Sequence, residues 1–333
     1  MQAQVRPVIS SSFKPAWGLK HAHLQTIFAK YLSPRHKQKT VAEQFSLPDG
    51  DVIQLNWMQP SKVAANAPMV VILHGLAGDI NSHYIQGLLA QCRTLRWPAV
   101  MMHFRGCNGE PNKLPRAYHS GDTADLAAVL NDITQRFEQH RFVAVGYSLG
   151  ANVLLKYCGE QQQNNPLAAA VAVSPPLDLA ACATRINQGS SKIYQRYLLQ
   201  RLKRSTLAKL KQFKPFPLPL TPRKVKQLAS IEQFDELYTA PIHGFASAQD
   251  YYQKSSAKAF LQHITIPTLI IHAKDDPFLS DAVIPAAQEL SDKIHYELAS
   301  GGGHVGFVSG SVFKPRFWLN QRIPDFISEQ LTT

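Results

Sequence analysis

The sequence predicts an α/β fold in which a mainly parallel, twisted sheet is flanked by helices. Strand patterns alternate with helix patterns from residue 68 to about residue 174, and this alternation is typical of a parallel sheet covered on both faces. The strands read as continuous apolar runs, as expected for strands buried on both sides. A chain of 333 residues with 45% hydrophobic residues can bury a large core. We therefore expect one large domain with its ligand site at the carboxyl ends of the strands.

The first predicted elements are strands. Strands near 41–46 and 52–57 are joined by Pro48-Asp49-Gly50, which is a hairpin signal. The first buried strand covers residues 67–73, and a second follows at 100–103. Each ends in a loop that contains glycine, so both loops are predicted to lie at the same edge of the sheet.

The next strand, residues 142–147, runs into Gly146-Tyr147-Ser148-Leu149-Gly150 and then into a helical stretch at 151–156. A strand can turn directly into a helix only where Gly146 and Gly150 leave room for close packing. Such a turn lifts the Ser148 hydroxyl clear of the sheet beside the helix N-terminus. The motif alone is common, but its position between a strand and a helix predicts that Ser148 is a nucleophile.

A serine hydroxyl needs a general base, and the base needs an acid to orient it. The strand pattern at 266–272 is followed by Asp275, Asp276 and Pro277, where the acid of a Ser, acid, His chain order belongs. Either aspartate fits, and both could instead cap the turn before the proline. We favour Asp275 because it is nearer the end of the strand.

His304 is the predicted base. A short strand at 294–298 leads into a loop with three glycines at 301–303, directly before His304. The glycines allow the loop to fold back over the serine turn and bring His304 within hydrogen-bond reach of Ser148. Of the 13 histidines, this one fits the base.

Two backbone amides are predicted to hold the negative charge of an acyl-transfer transition state. The strand at 67–73 ends in His74-Gly75-Leu76, and Leu149 follows the serine. We assign the N–H groups of Leu76 and Leu149 as the oxyanion hole. His74 precedes Ser148 in the chain, so we interpret it as a residue that orients the loop.

Two further loops have no derived catalytic role. In residues 104–109, Arg105 is expected to brace the loop, and Cys107 to be a small packed residue. In residues 118–123, the side chain of Ser120, Asp122 or Thr123 is expected to cap the following helix.

Taken together, the chain resembles the AB-hydrolase-4 group of the α/β-hydrolase superfamily, the YheT-like bacterial proteins that are similar to mammalian α/β-hydrolase-domain proteins one to three. The resemblance implies a serine hydrolase acting on esters of lipids or other acylated small molecules. It rests on segments that occur in the family's order: residues 23–26, 74–78, 104–110, 118–123, 146–152, 275–277 and 302–307.

Neither a cofactor nor a metal ion is expected, because the predicted triad and amides complete the acyl-transfer apparatus and no close His/Asp/Glu spacing suggests a metal site. Four cysteines without Cys-x-x-Cys spacing fit a reducing cytosol. No transmembrane span or secretory h-region is apparent in the sequence. We expect a cytoplasmic protein.

Residues from about 177 to 262 interrupt the strand rhythm and are expected to form a cap or lid inserted into the single domain. Residues 179–230 contain twelve Lys or Arg and no Asp or Glu. The other 23 basic residues equal the 23 acidic ones in number, so the formal net charge of +12 equals the charge of residues 179–230. Within it, residues 191–204 predict a basic amphipathic helix that either covers the active site or contacts anionic lipid at the inner membrane surface.

The predicted function is hydrolysis of short- to medium-chain acyl esters or lipid-derived esters through Ser148, Asp275 and His304. Acyl transfer to an alcohol or thiol and thioester hydrolysis would use the same residues. A non-catalytic binding protein of the same fold is a further alternative. The basic insertion also suits nucleic acid, but no recognised binding module accompanies it, so we expect no specific nucleic-acid partner.

Overall fold

The computed structural model describes residues 9–33 and 37–332. In these residues a sheet of nine strands runs in the order β1-β9-β8-β7-β6-β4-β5-β3-β2. The pairs β2/β3 and β3/β5 are antiparallel and the others are parallel, so the predicted mainly parallel sheet is confirmed. The strands of this sheet are β1 Ile9–Ser10, β2 Val41–Ser46, β3 Val52–Met58, β4 Met69–Leu73, β5 Ala99–Met102, β6 Phe142–Tyr147, β7 Leu167–Val173, β8 Thr268–Ala273 and β9 Ile294–Ala299.

Helices cover both faces of the sheet, and β10 (Val308–Gly310) and β11 (Pro315–Phe317) form a small separate hairpin. One hydrophobic cluster joins one face to α3 and α4, and another joins the opposite face to α2 and α11. The helices are α1 Ala22–Leu32, α2 His83–Leu95, α3 Ala124–Arg136, α4 Leu149–Gln161, α5 Leu179–Ile186, α6 Lys192–Gln212, α7 Pro222–Gln227, α8 Ile231–Phe234, α9 Ala240–Ile242, α10 Ala248–Ser255 and α11 Leu319–Leu331.

The central strands β4, β5, β6 and β8 are buried along their whole length. This burial accounts for their continuous apolar sequences, because a strand covered on both faces has no side exposed to water where polar residues would be favoured. The β2/β3 hairpin at the sheet edge alternates between exposed and half-buried residues in β2. The predicted strands therefore lie within two residues of the observed ones.

Between β7 and β8 the chain leaves the sheet and forms helices α5 to α10, with a π-helical turn at Asp235–Thr239. These helices have two small apolar clusters of their own, one around Tyr252 and one around Tyr238. The last part of the connection, Ala257–His263, packs instead against α4, where the Phe260 carbonyl lies close to Gly159. None of the helices in the described part of the chain has the length and hydrophobicity needed to cross a bilayer.

The basic helix α6 extends eight residues beyond the predicted stretch, and one of its cations is buried. Lys209 is 1% exposed, and its Nζ donates to Asn112 Oδ1 at 2.5 Å and to the carbonyl oxygen of Leu114 at 2.8 Å. Burial lowers the pKa of Lys209 to about 8. Lys209 thus ties α6 to the loop before α3 and is not part of a surface charge patch.

Arg105 braces its loop, as predicted, through a buried ionic network. Its guanidinium donates to both carboxylate oxygens of Asp125 at 2.7 and 2.6 Å and pairs with Asp51 and Asp49 at 2.8 Å each. Burial by itself would lower the pKa of Arg105, but the bonds to Asp125 and Asp49 raise it. The network joins the loop after β5, the β2/β3 turn and α3.

Candidate active site

Ser148 lies between β6 and α4 with φ 52° and ψ −119°, a conformation that L residues rarely adopt. A Cβ atom on Gly146 would lie 2.5 Å from the Gly150 carbonyl oxygen. A Cβ atom on Gly150 would lie 2.5 Å from the His74 carbonyl oxygen. Both contacts are far too short for real atoms, so only glycine allows the strand, the turn and the neighbouring loop to approach this closely.

A continuous hydrogen-bond chain starts at the Ser148 hydroxyl. Ser148 Oγ lies 2.8 Å from His304 Nε2, and His304 Nδ1 lies 2.7 Å from Asp276 Oδ2. The Asp276 side chain is fully buried, and its other oxygen accepts a hydrogen bond from the Phe278 amide at 2.8 Å. The Phe278 ring stacks on the imidazole with centroids 4.0 Å apart. The imidazole is therefore held on both edges and on one face.

The preference for Asp275 over Asp276 was wrong. Asp275 Oδ1 accepts a hydrogen bond from the Gly303 amide at 2.9 Å, whereas Asp276 contacts the His304 ring. The reason is the turn after β8, which is closed by the Asp276 amide bonding to the Ala273 carbonyl oxygen at 3.1 Å. This turn carries the second aspartate onto the imidazole. Asp275 instead anchors the glycine loop, and burial raises its pKa.

The His304 loop is also held by α1, a role that the sequence did not reveal. Thr26 Oγ1 accepts a hydrogen bond from the His304 amide at 2.9 Å. The buried Gln25 side chain accepts from the Val308 amide at 2.7 Å and donates to the carbonyl oxygens of Val308 and Leu19. A signal existed, because His23, Gln25 and Thr26 carry polar side chains in the family's lead-in segment, but nothing in the sequence connects them to a loop about 280 residues away.

Leu76 and Leu149 line the same cavity as Ser148. Neither amide donates in the hydrogen bonds that the structure gives for the described residues, whereas the neighbouring amides do. The Gly75 amide donates to the Tyr84 hydroxyl at 3.0 Å, and the Ala77 amide to the Tyr118 hydroxyl at 2.8 Å. Sequence reasoning missed these two tyrosines. They hold the loop on both sides of Leu76, whose amide has no acceptor in the described bonds and which lines the cavity.

His74 orients this loop, as its position in the chain predicts. It is fully buried, its Nδ1 bonds to the Gly75 carbonyl oxygen at 2.7 Å, and its Nε2 accepts from the Phe104 amide at 3.1 Å. Burial lowers its pKa to about 3. His74 is therefore neutral, with its proton on Nδ1, and does not contact Ser148 in the bonds described.

The two motif loops have structural roles. Burial raises the pKa of Cys107 to about 12, which agrees with a packed and unreactive thiol. The predicted side-chain cap of α3 was wrong: Thr123 precedes the helix, but its hydroxyl donates to Glu160 at 2.7 Å instead. Asp122 pairs with Arg116, and the Ser120 carbonyl accepts from Asn152. The side chains of Thr123 and Asp122 thus bond to other residues and do not cap α3.

Backbone strain is concentrated around the site. Besides Ser148, positive φ angles occur at Ala77, Ser174, Val305 and Phe307. Val305 follows His304, and its amide donates to Ser174 Oγ at 3.2 Å. Residues in this region of φ persist only where the surrounding contacts enforce them, and they are frequent at functional sites.

A cavity of about 810 Å³ opens above Ser148 and His304. Its walls come from α1, the Leu76 loop and the helical insertion, and include Ile27, Tyr31, Leu179, Tyr194 and Leu198. A second chamber of about 240 Å³ adjoins it on the side of Tyr118. Volumes in this range and largely apolar walls are typical of small-molecule sites.

The described residues contain no group of three or more His, Cys, Asp or Glu side chains placed to hold a metal ion. The cofactor-free chemistry expected from the sequence stays a prediction.

The sequence profile of the family described as "alpha/beta hydrolase fold" matches residues 68–311. The chain belongs to the α/β-hydrolase family. Over 322 residues it is 42% identical to the protein named "Putative esterase YheT" of Escherichia coli K12, covering 97% of this chain and 94% of YheT. It is 32% identical over 247 residues to a monoacylglycerol lipase of Saccharomyces cerevisiae, covering 72% of this chain and 55% of the lipase.

Among solved structures, a Pyrococcus furiosus esterase superposes with a TM-score of 0.56 at 14% identity, covering 88% of this chain and 91% of the esterase. At that identity the superposition bears on the fold alone. The YheT-like resemblance expected from the motifs is confirmed by the match to YheT itself, and this α/β hydrolase is of the esterase or lipase type.

Proposed function

We propose that this α/β hydrolase cleaves carboxylic esters through an acyl-enzyme formed on Ser148, with His304 as general base and acid and Asp276 as the residue that orients it. The observation that supports this most strongly is the Ser148, His304, Asp276 hydrogen-bond chain at the floor of an apolar cavity. Nucleophile, base and orienting acid within hydrogen-bond reach of one another are the signature of a serine hydrolase.

In the first half-reaction, Ser148 Oγ attacks the ester carbonyl while His304 Nε2 takes its proton. The tetrahedral oxyanion accepts hydrogen bonds from the amides of Leu76 and Leu149, which in the described bonds have no other acceptor. The imidazolium then donates its proton to the departing alcohol. Water attacks the acyl-enzyme in the second half, with His304 again removing and returning a proton, and Asp276 stays ionised throughout.

The cavity supports an acyl ester with an apolar chain as substrate. Its walls include Leu179, Ile186 and Leu198 of the helical insertion, which we propose acts as a cap or lid over the site and spans about residues 177–262. The yeast relative named as a monoacylglycerol lipase supports a glyceride or similar lipid-derived ester. Thioester hydrolysis and acyl transfer to an alcohol would use the same groups, so an experiment must distinguish these reactions from ester hydrolysis.

A fluorophosphonate probe should label wild-type protein once, at Ser148, and Ser148→Ala should abolish both labelling and ester hydrolysis. Labelling is read by mass spectrometry of peptides, and hydrolysis with p-nitrophenyl esters of two to sixteen carbons together with the matching acyl thioesters. Ser174→Ala, which removes another hydroxyl near His304, serves as the control and should still be labelled at Ser148. A folded wild-type protein that is neither labelled nor active on any ester would refute the proposed function.

We further propose that the cavity mouth rests on an anionic lipid surface. On α1, Leu24, Ile27, Phe28 and Tyr31 recur at helical spacing and yet are 36 to 71% exposed. On the neighbouring α6, Ile193 and Tyr197 are 69 and 52% exposed. We call these six residues the mouth patch. The two helices meet where His23 Nδ1 lies 2.9 Å from the Tyr194 hydroxyl, and Ile27, Tyr31 and Tyr197 line the cavity.

Charge around the mouth patch favours an anionic surface. Lys30, Lys192 and Arg196 are exposed on the same two helices. Each cation close to an anionic bilayer contributes about 1 kcal/mol, and exposed apolar side chains add to it by entering the headgroup region. Arg201 and Lys209, two of the twelve cations of residues 179–230, lie in the cavity wall and in the protein interior.

Sedimentation with vesicles of phosphatidylglycerol should recover more protein than sedimentation with phosphatidylcholine, and the difference should shrink at high salt. Phe28→Ser with Ile193→Ser should weaken binding to both lipids, and Lys192→Gln with Arg196→Gln should weaken only the anionic preference. The control carries Lys62→Gln and Lys293→Gln at the amino ends of the strands, away from the mouth. Equal recovery of all four proteins from both lipids would refute the membrane contact.

A further inference from the structure

Arg201 differs from the other cations of the helical insertion because it faces the substrate cavity. Tyr194, Leu198 and Arg201 follow one another at i, i+4 and i+7 on α6, and all three line the cavity. Arg201 also borders the adjoining chamber, opposite the loop from Leu76 to Asp79. Its side chain is half-buried, whereas Arg196 and Arg204 on the same helix are exposed.

The guanidinium has donors to spare. Arg201 Nη1 donates to the Tyr197 hydroxyl at 3.0 Å, and the guanidinium carbon lies 5.8 Å from the centre of the Tyr197 ring. In the ion pairs and hydrogen bonds given for the described residues, Tyr197 is the partner of Arg201, while an arginine carries five N–H donors. Tyr197 therefore positions the guanidinium and leaves most of its donors available to a ligand in the cavity.

The charge of Arg201 acts inside the site. Burial raises the pKa of Tyr118, and the Arg201 charge opposes that rise. Burial likewise raises the pKa of Tyr84, again with Arg201 acting in the opposite direction. Both tyrosines hold the loop that carries the Leu76 amide, so a positive charge lies near the position where the ester group must bind.

We propose that Arg201 is a specificity-determining residue that binds an anionic oxyacid group, a phosphate or a carboxylate, on the acyl ester substrate. This inference rests on the proposed ester hydrolysis and names the substrate class of the same site. A guanidinium presents paired donors that match the oxygens of phosphate and carboxylate. In a cavity partly shielded from water, that interaction is stronger than the same pair at the surface.

Asp79 offers another reason for the arginine, since it lines both chambers. Burial lowers the pKa of Arg201, whereas the bond to Tyr197 and then the charge of Asp79 raise it. The ion pairs of the described residues do not join the two side chains. If Arg201 served only to balance Asp79, Asp79→Asn should reproduce the effect of losing Arg201. If Arg201 binds a substrate anion, Asp79→Asn should instead strengthen the preference for an anionic ester, because the competing negative charge is gone.

The test compares three lauroyl esters of one chain length: 1-lauroylglycerol, 1-lauroylglycerol 3-phosphate and 2-lauroyloxypropanoate. The ratio of kcat/KM for each anionic ester to that for the neutral ester is measured below the critical micelle concentration. Arg201→Gln should lower the ratio for the phosphate ester, the carboxylate ester or both by about tenfold or more, mainly through KM, since a charge-assisted hydrogen bond is lost. Arg204→Gln removes the same charge from exposed α6 surface and should leave both ratios unchanged.

Arg201→Lys keeps the charge without the paired donors and should retain part of the preference. If Arg201→Gln does not fold, Arg201→Lys and Asp79→Asn decide the matter. The proposal is overturned if Arg201→Lys prefers anionic esters as strongly as wild type does and Asp79→Asn loses that preference. The proposal is equally overturned if Arg201→Gln changes all three esters by the same factor, or changes neither ratio by more than about twofold.

A binding measurement separates this inference from the proposed function. In the Ser148→Ala protein, dodecylglycerol and dodecylglycerol 3-phosphate, which are ethers and cannot be hydrolysed, are titrated by calorimetry. Tighter binding of the phosphate ether that is lost on adding Arg201→Gln supports the anion site even if no ester is turned over. Equal affinities for the two ethers with intact ester hydrolysis would remove the inference and leave the proposed function standing.

Discussion

Asp276→Asn should lower kcat for ester hydrolysis by roughly 10⁴, which corresponds to about 5 kcal/mol of transition-state stabilisation. An amide at this position presents an N–H₂ group or a neutral oxygen to His304 Nδ1, where the structure has a carboxylate oxygen at 2.7 Å. The imidazole then loses the partner that keeps the proton on Nδ1 and stabilises the imidazolium. Steady-state kinetics with a p-nitrophenyl ester measure the effect.

Asp275→Asn is the matched control, because the two aspartates are adjacent in the chain and only one contacts the base. An asparagine at 275 keeps an oxygen that can accept from the Gly303 amide, so we expect a loss within about tenfold, from loosening of the His304 loop alone. Urea unfolding of both variants establishes that they are folded. A collapse of turnover in Asp275→Asn with near-normal turnover in Asp276→Asn would contradict the assignment.

Arg105→Met should lower the free energy of unfolding by about 3 to 5 kcal/mol. The substitution keeps a chain of similar size but leaves the carboxylates of Asp51 and Asp125, both almost fully buried, without the cation that neutralises them. A buried charge without a partner costs far more than the net contribution of the intact pair. Urea unfolding followed by circular dichroism measures the change.

The deficit of Arg105→Met should be smaller at pH 5 than at pH 8. Burial raises the pKa of Asp125 while Arg105 lowers it, so removing the arginine raises it further. A carboxyl whose pKa is higher in the folded state than in the unfolded state stabilises the fold at low pH and loses this contribution as pH rises. A deficit that is the same at both pH values would contradict the buried-carboxylate explanation.

Arg136→Met is the control for Arg105→Met. Arg136 also pairs with two carboxylates, Glu43 and Asp132, at 2.8 and 2.9 Å, but its side chain is 39% exposed. Surface ion pairs contribute little because water and salt screen them, so we expect a loss below about 1 kcal/mol. Comparable losses in the two variants would show that burial is not what makes the Arg105 network important.

The helical insertion shows how composition and structure address different questions. The sequence predicted that twelve Lys or Arg without any Asp or Glu lie in residues 179–230, since counting residues requires no coordinates. It could not predict how that charge is divided, because side chains of α6 point in several directions and their neighbours come from distant segments. Lys209 is buried against the loop at 112–116, Arg201 faces the cavity, and Arg196 is exposed.

The sequence by itself determined strands β2 to β9, their order along the chain and the serine turn, but not the short edge strand β1. Each depends on short-range rules: buried parallel strands are continuously apolar, and a strand turns into a helix at Ser148 only between two small residues. Such patterns span ten to twenty residues and can be read without knowing what packs against them. The same holds for His304, whose glycine loop follows the last strand of the parallel sheet.

Only the tertiary structure decided which aspartate serves His304, and that α1 anchors the His304 loop. The choice between Asp275 and Asp276 depends on the direction of two side chains in one turn, which the Ala273 carbonyl closes and which the amides of Gly303 and Phe278 hold through the two carboxylates. The contacts of Thr26 and Gln25 join residues 278 and 283 positions apart. Local sequence carries no record of such pairings, because they form only when the folded sheet brings the two segments together.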